Sequence, residues 1–156
     1  MMAIKQATKA DVDTIHNLLT NLAHDLGKES EYQGTTAKLK KNNSHFEAMI
    51  AWDDDLPIGL VVYFLEFSTW RGEPGVYVQD LYVHKSVRGQ SVGKKLIQAA
   101  IEYAEKHGAT YMRLSVHNDN EEGAIFYGAV GFETVKNEQM YVAEGSAFKV
   151  LGALIP

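Results

Sequence analysis

The ten residues VRGQSVGKKL, at positions 87–96, decide how this sequence is interpreted. They connect a strand-like run, residues 76–83, to a helix-like run, residues 96–106. The first N–H groups of a helix have no partner within it, and the helix dipole adds partial positive charge there. A turn of small residues at this point is therefore suited to hold a phosphate or pyrophosphate. The spacing matches neither G-x-G-x-x-G nor G-x-x-x-x-G-K-[ST], the two usual phosphate-loop patterns.

The pattern in the loop is Arg88-x-x-Ser91-x-Gly93. It resembles [Q/R]-x-x-G-x-[G/A], the acyl-CoA loop of the GNAT family of N-acetyltransferases. The resemblance implies that acetyl-CoA is the cofactor and that the loop supplies most of its binding residues, namely Arg88, Gly89, Gln90, Ser91, Val92, Gly93 and Lys94.

Each part of the loop has a physical task in this interpretation. Gly89 and Gly93 have no Cβ and would let the backbone approach the pyrophosphate. Arg88 and Lys94 would add positive charge, although both could equally be exposed residues at a helix start. Ser91 departs from the family's glycine. If its φ is positive, serine is strained there by ~1 kcal/mol or more, whereas a negative φ would suit it.

Other segments extend the resemblance along most of the chain. Residues 4–11 are similar to the family's opening strand and helix start, and Leu81, Tyr82 and Val83 to the strand whose backbone pairs with the pantetheine arm. Residues 120–132 resemble N-x-x-[AS]-x-x-[FL]-Y-x-x-x-G-F. The resemblance implies that Asn120 and Gly123 contribute to the cofactor site, but Asn120 could equally be only a helix cap.

Tyr127 is the catalytic candidate. Attack of an amine on a thioester leaves a thiolate, and a phenol near the sulfur can protonate it. The family uses the tyrosine of this motif in that role. The alternative is that Tyr127 packs against Phe126 and Phe132 as part of the core.

Within the family, the chain looks closest to the diamine acetyltransferases, of the spermidine/spermine and thialysine type. The resemblance rests on residues 67–72 and 77–83, and it implies four substrate residues: Asp25, Trp70, Gln79 and Asp80. Asp25 could instead be a solvated helix end, and Trp70 could pack on a dimer partner.

Gln79 stands where this subgroup has a glutamate, and glutamine cannot act as a base. Either a water chain removes the amine proton, or a neighbouring carboxylate does: Asp80, Glu66 or Asp25. Strand alternation predicts that Asp80 shares a face with Val78 and Tyr82, opposite Gln79.

Hydrophobic periodicity predicts one α/β domain spanning residues 1–156. We expect strands at 4–8, 46–52, 58–67, 76–83 and 111–116, and final strands at 132–135 and within 140–150. We expect helices at 12–22, which Gly27 ends, and at 96–106 and 121–129, with a short helix in the polar segment 28–43. The family resemblance implies a mixed, centrally splayed sheet flanked by helices.

Composition narrows the possible functions. The net charge of −5 argues against a nucleic-acid partner, and the absence of cysteine excludes disulfides and thiolate metal sites. His84, His107 and His117 lack metal-ligand spacing, so we assign no metal. No run is of signal-peptide or membrane-spanning type, which predicts a cytoplasmic protein.

We therefore expect transfer of an acetyl group from acetyl-CoA to the primary amine of a small cationic acceptor: a polyamine, a diamine or a lysine analogue. Direct attack in a ternary complex is favoured, because no residue is an evident acyl-accepting nucleophile. The alternatives are another amine, such as a protein N-terminus, a protein lysine, an amino acid or an antibiotic, and a silent acyl-CoA binding module. The family resemblance also implies a homodimer, with Met140 to Leu154 at the interface.

Overall fold

The chain folds around a five-stranded sheet with the strand order β1-β2-β3-β4-β5, in a computed structural model that describes residues 1–153. The pairs β1–β2, β2–β3 and β3–β4 are antiparallel, and the pair β4–β5 is parallel. The strands are β1 Met2–Gln6, β2 Glu47–Asp53, β3 Leu56–Ser68, β4 Glu73–Val83 and β5 Met112–Leu114. The predicted mixed sheet is confirmed.

Five α-helices accompany the sheet in the described residues: α1 Val12–Asp25, α2 Thr36–Lys41, α3 Val92–Glu105, α4 Glu121–Val130 and α5 Ser146–Gly152. A capping box between Thr8 and Asp11 precedes α1. The Thr8 side chain accepts a hydrogen bond from the backbone at Asp11, and the Asp11 side chain accepts one from the backbone N–H of Thr8. Gly27, at φ 67°, follows the end of α1, as the sequence predicts. The short helix expected in segment 28–43 is α2.

Each face of the sheet carries its own hydrophobic cluster. The α3 face packs against α3, and its buried residues include Val61, Tyr63, Val76, Val78, Leu96 and Ala100. The α1 face packs against α1, and its buried residues include Ile15, Leu18, Ile50, Leu60, Val62 and Tyr82. The sheet is thus a single layer between two helical layers, and any strand residue can be assigned to a face by the cluster that it joins.

A β-bulge in β4 changes the predicted distribution of side chains. Val62 pairs with Asp80, and Tyr63 pairs with Val78, so Gln79 is an extra residue with no partner on β3. Val78 lies on the α3 face, whereas Asp80, opposite Val62, lies on the α1 face with Tyr82. The prediction that Asp80 shares a face with Val78 is therefore wrong, because the bulge interrupts the alternation of side chains.

The sheet splays between β4 and β5. The two strands pair only where Val76, Tyr77 and Val78 meet residues 112–114. Beyond that point, residues 80–83 of β4 remain paired with β3 on one side but have no strand on the other among the described residues. The backbone of this half-strand therefore offers unused N–H and C=O groups toward the gap.

The predicted final strands at 132–135 and within 140–150 are wrong. Residues 132–144 carry no regular secondary structure, and α5 occupies Ser146–Gly152. Their apolar residues favour a strand, but a strand also needs a neighbouring edge. In residues 1–153, β5 is only three residues long and pairs with β4 alone. Leu154, the last residue of the predicted interface segment, lies outside the described residues.

Tyr63 generates a prediction about stability. Its side chain is completely buried in the α3-face cluster, and its hydroxyl has no hydrogen-bond partner among the described residues. Since an unpaired buried hydroxyl costs about 1–3 kcal/mol, Tyr63→Phe is expected to raise the free energy of unfolding by about 1 kcal/mol. Urea denaturation measures this difference. Tyr141→Phe, on an exposed side chain, is the matched control and should change nothing; a loss of stability in Tyr63→Phe would contradict the prediction.

Candidate active site

The loop between β4 and α3 is a concave run of backbone N–H groups. Gly89 and Ser91 both have positive φ, at 80° and 63°. Left-handed residues of this kind turn successive N–H groups toward one point, the geometry of an anion-binding nest. The first hydrogen bond of α3 is donated by the Lys95 N–H to the Ser91 carbonyl over 3.0 Å. The N–H groups of residues 92–94 therefore lie before the helical ladder and face the nest.

The loop leaves open space beside Gly89. A Cβ added at Gly89 would meet no atom within 4 Å, so the space beside this residue is open. Ser91 precedes α3 without capping it through its side chain. The positive φ of Ser91 selects the strained alternative of the two that the sequence left open.

Two residues predicted for different ligands meet each other in the structure. An Arg88 guanidinium nitrogen lies 2.7 Å from a carboxylate oxygen of Asp25, and Arg88 Nε donates to the Val83 carbonyl at 3.0 Å. The ion pair joins the end of α1 to the loop. Arg88 is therefore held beside the end of β4, and Asp25 lies at the loop rather than beside Tyr127. Lys94 is exposed in the first turn of α3.

Gly93 lies close to the ring of Phe126. A Cβ at this position would lie 3.0 Å from the ring of Phe126, so the missing side chain makes room for α4. Phe126 in turn packs edge-on against Tyr127, with ring centroids 5.2 Å apart, and Tyr127 packs edge-on against Phe132 at 5.5 Å. Gly93 thus brings the start of α3 against the helix that carries the catalytic candidate.

The Tyr127 hydroxyl group is kept protonated by its surroundings. Burial, assisted by the negative charge of Asp80, raises the pKa of Tyr127 to about 12. A protonated phenol can donate a proton to a developing thiolate, whereas a phenolate cannot. Packing against Phe126 and Phe132 and a role as an acid are therefore compatible.

Asn120 caps α4. Its side-chain oxygen accepts a hydrogen bond from the Gly123 N–H over 3.0 Å. A Cβ at Gly123 would lie 2.6 Å from the Asn120 amide nitrogen, so a side chain at this position would crowd the cap. The capping alternative is present in the structure, and it orients the helix that carries Tyr127.

The open half of β4 runs past these elements. Leu81 and Val83 pack into the α3-face cluster, and Tyr82 is buried on the α1 face. These three side chains therefore pack into the core. Only the unpaired backbone edge faces the gap, which suits the predicted pairing with an extended pantetheine arm.

Asp80 lies close enough to Tyr127 for its negative charge to help raise the pKa of that phenol, and it acts in the same way on a third residue, Tyr32. Burial raises the pKa of Asp80, and burial together with the charge of Asp80 raises the pKa of Tyr32. The Tyr32 hydroxyl lies 3.0 Å from His16 Nδ1. Sequence analysis did not identify Tyr32 or His16, because an aromatic residue in a polar connection carries no local signal of what it will face.

Two predicted substrate residues are not brought to this group. Gln79 is exposed in the bulge, and Trp70 is fully exposed in the β3–β4 turn. Glu73 begins β4 and Asp80 lies seven residues later, so the turn is about 23 Å from Asp80 at 3.3 Å per residue. The role of Trp70 as a substrate contact stays a prediction.

The fold agrees with the protein family whose model the sequence matches. The model of the Acetyltransferase (GNAT) family matches residues 13–132. The chain therefore belongs to the GNAT family, whose members transfer acetyl groups from acetyl-CoA, and it is an N-acetyltransferase by class.

Particular relatives point to amines of several kinds. Thialysine N-epsilon-acetyltransferase of Mus musculus is 25% identical over 163 residues, covering 95% of each chain. Aminoalkylphosphonate N-acetyltransferase of Salmonella typhimurium is 28% identical over 138 residues, covering 83% of this chain and 84% of the relative. An aminoglycoside N-acetyltransferase solved in complex with CoA superposes with a TM-score of 0.76 at 20% identity, covering 91% of this chain and 94% of that one.

Residues 1–153 contain no group of three or more His, Cys, Asp or Glu placed to hold a metal ion. None of the helices in the same residues has the length and hydrophobicity that a bilayer crossing requires.

Ser91 generates a prediction at this site. Glycine would relieve a left-handed strain of about 1–2 kcal/mol, which is more than the roughly 0.4–1 kcal/mol that it would lose through a more flexible unfolded chain. Ser91→Ala keeps the Cβ and the strain while removing the hydroxyl. We therefore expect Ser91→Gly to be more stable than Ser91→Ala by up to about 1 kcal/mol in thermal unfolding. Equal stability of the two variants would show that φ at residue 91 is not positive.

Proposed function

We propose that this protein transfers an acetyl group from acetyl-CoA to the primary amine of a small cationic acceptor. The observation that carries the proposal is Tyr127, which is half-buried, protonated and near Asp80. Its helix, α4, packs against Gly93 at the start of α3. The shape of the loop between β4 and α3 and the open edge of β4 support binding of acetyl-CoA.

Each group of residues has a task in this proposal. Acetyl-CoA supplies the thioester that the amine attacks. The N–H groups of residues 89–94 would hold the pyrophosphate, with Lys94 adding charge, and the backbone of Leu81, Tyr82 and Val83 would orient the pantetheine arm. Arg88 would shape the loop through Asp25 and Val83. Tyr127 would give its proton to the leaving sulfur.

A polyamine, a diamine or a lysine analogue is the proposed acceptor class. The name of the mouse relative supports a lysine-like amine, and the carboxylate of Asp80 on the α1 face supports a cationic one. The Salmonella relative is named for an acceptor that also carries a phosphonate, so such a compound belongs in the test. Residues 1–156 are proposed to be one N-acetyltransferase domain, and the cytoplasmic location stays a prediction.

Release of free thiol from acetyl-CoA at mildly alkaline pH tests the function. The panel contains spermidine, spermine, putrescine, thialysine, lysine, short peptides and an aminoalkylphosphonate. Turnover on a polyamine or thialysine is the expected result. Turnover on peptides or the phosphonate alone would replace the acceptor class. Binding of acetyl-CoA without turnover on any amine would favour the silent binding module. The strained backbone of Ser91 and the ion pair of Arg88 with Asp25 would be consistent with that outcome.

Tyr127→Phe separates catalysis from binding. The variant keeps the ring that packs against Phe126 and Phe132 but removes the proton donor. We expect kcat to fall about 100-fold or more, with the Kd of acetyl-CoA unchanged within about threefold. Tyr141→Phe, on a side chain that is 87% exposed, is the matched control and should retain full activity. An unchanged kcat in Tyr127→Phe would remove this residue from the mechanism.

We also propose a homodimer in which the segment from Met140 to Leu154 forms part of the interface. Apolar side chains in the described part of this segment support the proposal, because Met140, Val142, Phe148 and Leu151 are all more than half exposed. Light scattering is expected to give twice the 17.4 kDa mass of one chain. Charged substitutions at Val142 and Phe148 should return that mass to one chain; a monomer in the unmodified protein would contradict the proposal.

A further inference from the structure

Three carboxylates could take the place of the glutamate that is absent at position 79, and two of them are already engaged. Asp25 is bound to the Arg88 guanidinium at 2.7 Å. Glu66 receives Arg113 Nε at 3.0 and 2.8 Å on its two oxygens and the Tyr111 hydroxyl at 2.8 Å. The hydrogen bonds from Arg113 lower the pKa of Glu66, so this carboxylate is a weak proton acceptor.

Asp80 differs from both. None of the ion pairs within residues 1–153 includes it. The bulge at Gln79 places Asp80 on the α1 face, opposite Val62, at the point where β4 has lost its pairing with β5. Its carboxylate is therefore half-buried, without a cation, beside the gap that Tyr127 borders.

The surroundings of Asp80 come from three elements. Tyr127 approaches from α4 and Tyr32 from the connection between α1 and α2, and Val62 is its partner on β3. His16 on α1 is hydrogen-bonded to Tyr32. Both phenols feel the negative charge of Asp80, and no basic side chain among the described residues offsets it.

We propose that Asp80 is the residue that takes the proton from the ammonium group of the acceptor. The proposal rests on the acetyltransferase function proposed above and names the group that performs its first step. Residue 79, which holds the glutamate in the diamine subgroup, has no part in this step, since Gln79 is exposed in the bulge.

The protons balance as follows in this scheme. The acceptor ammonium gives one proton to the Asp80 carboxylate, and its nitrogen lone pair forms a bond to the thioester carbon. The carbon–sulfur bond breaks, and the sulfur takes the proton of Tyr127. The nitrogen then returns a second proton to the Tyr127 oxygen and keeps its third as the amide N–H. Asp80 releases its proton to water, so one proton leaves for each acetyl group transferred.

Burial helps Asp80 in this role. A base works best when its pKa approaches the working pH, and burial moves the pKa of Asp80 upward. The carboxylate must be ionised to accept a proton. Activity should therefore be lost as pH falls through the raised pKa, at a higher pH than an ordinary aspartate would give.

Asp80→Asn tests the proposal with little change in shape. We expect kcat/KM for a cationic amine to fall between about 100- and 10,000-fold, while the Kd of acetyl-CoA stays within about threefold. The rate that remains should rise tenfold for each pH unit, following the fraction of free amine.

An aminooxy analogue of the acceptor, neutral at the assay pH, should lose less than about tenfold, because it needs no base. Glu66→Gln, another carboxylate of the sheet, is the control and should change kcat/KM less than about threefold.

Two measurements without turnover complete the test. Removing a buried charge should leave the melting temperature of Asp80→Asn equal or higher, which shows that the variant is folded. Carboxyl carbon NMR of the free protein should contain one resonance that titrates above the usual aspartate range and disappears in Asp80→Asn.

The outcomes distinguish this proposal from the function on which it rests. Unchanged kcat/KM in Asp80→Asn, or a higher KM with an unchanged pH profile, would overturn the role of Asp80 as a base and leave the acetyltransferase intact. An equal loss for the aminooxy analogue would also overturn it. Absence of turnover in the unmodified protein with every amine would overturn both proposals.

Discussion

The short pairing between β4 and β5 is the constraint on which the rest of the site depends. The two parallel strands share only three residue pairs, ending at Val78. From Gln79 onward, β4 is an edge of the sheet, although Leu81, Tyr82 and Val83 still pack into the two hydrophobic clusters. The unpaired backbone groups of this edge need a partner, which can be water, a ligand or another chain. The bulge at Gln79 coincides with the start of this edge, so the side-chain direction of β4 changes at the same point.

Helices on both sides are fastened to the open end of β4. The Arg88–Asp25 ion pair joins α1 to the loop, and the contact of Gly93 with Phe126 joins α3 to α4. Through Phe126, the same contact positions Tyr127. Four elements thus converge on one point while the backbone edge remains open. The cost of this arrangement is visible at Ser91, which adopts a left-handed conformation that glycine would occupy without strain.

Most of the elements could be predicted from local patterns, because amphipathic periodicity and helix caps act over a few residues. Gly27 ends α1 as expected, and the runs predicted at 46–52 and 58–67 match β2 and β3. The final strands failed for a physical reason. Val135, Val142 and Val150 favour extended structure, but a strand forms only where a neighbouring edge is available, and that depends on tertiary or quaternary contacts.

The sequence by itself determined the family, the position of the loop between β4 and α3, and the helix that carries Tyr127, because each is marked by a short local motif. Only the tertiary structure decided which carboxylates are free. Nothing in the sequence distinguishes the carboxylates of Asp25, Glu66 and Asp80. In the structure, Arg88 forms an ion pair with Asp25 and Arg113 forms one with Glu66, whereas neither arginine pairs with Asp80. The structure also separated Asp80 from Val78 while leaving it on the same face as Tyr82, since one extra residue in a strand shifts every later side chain relative to the earlier ones. Ion pairs and strand register join residues that are far apart in sequence, and no local pattern contains that information.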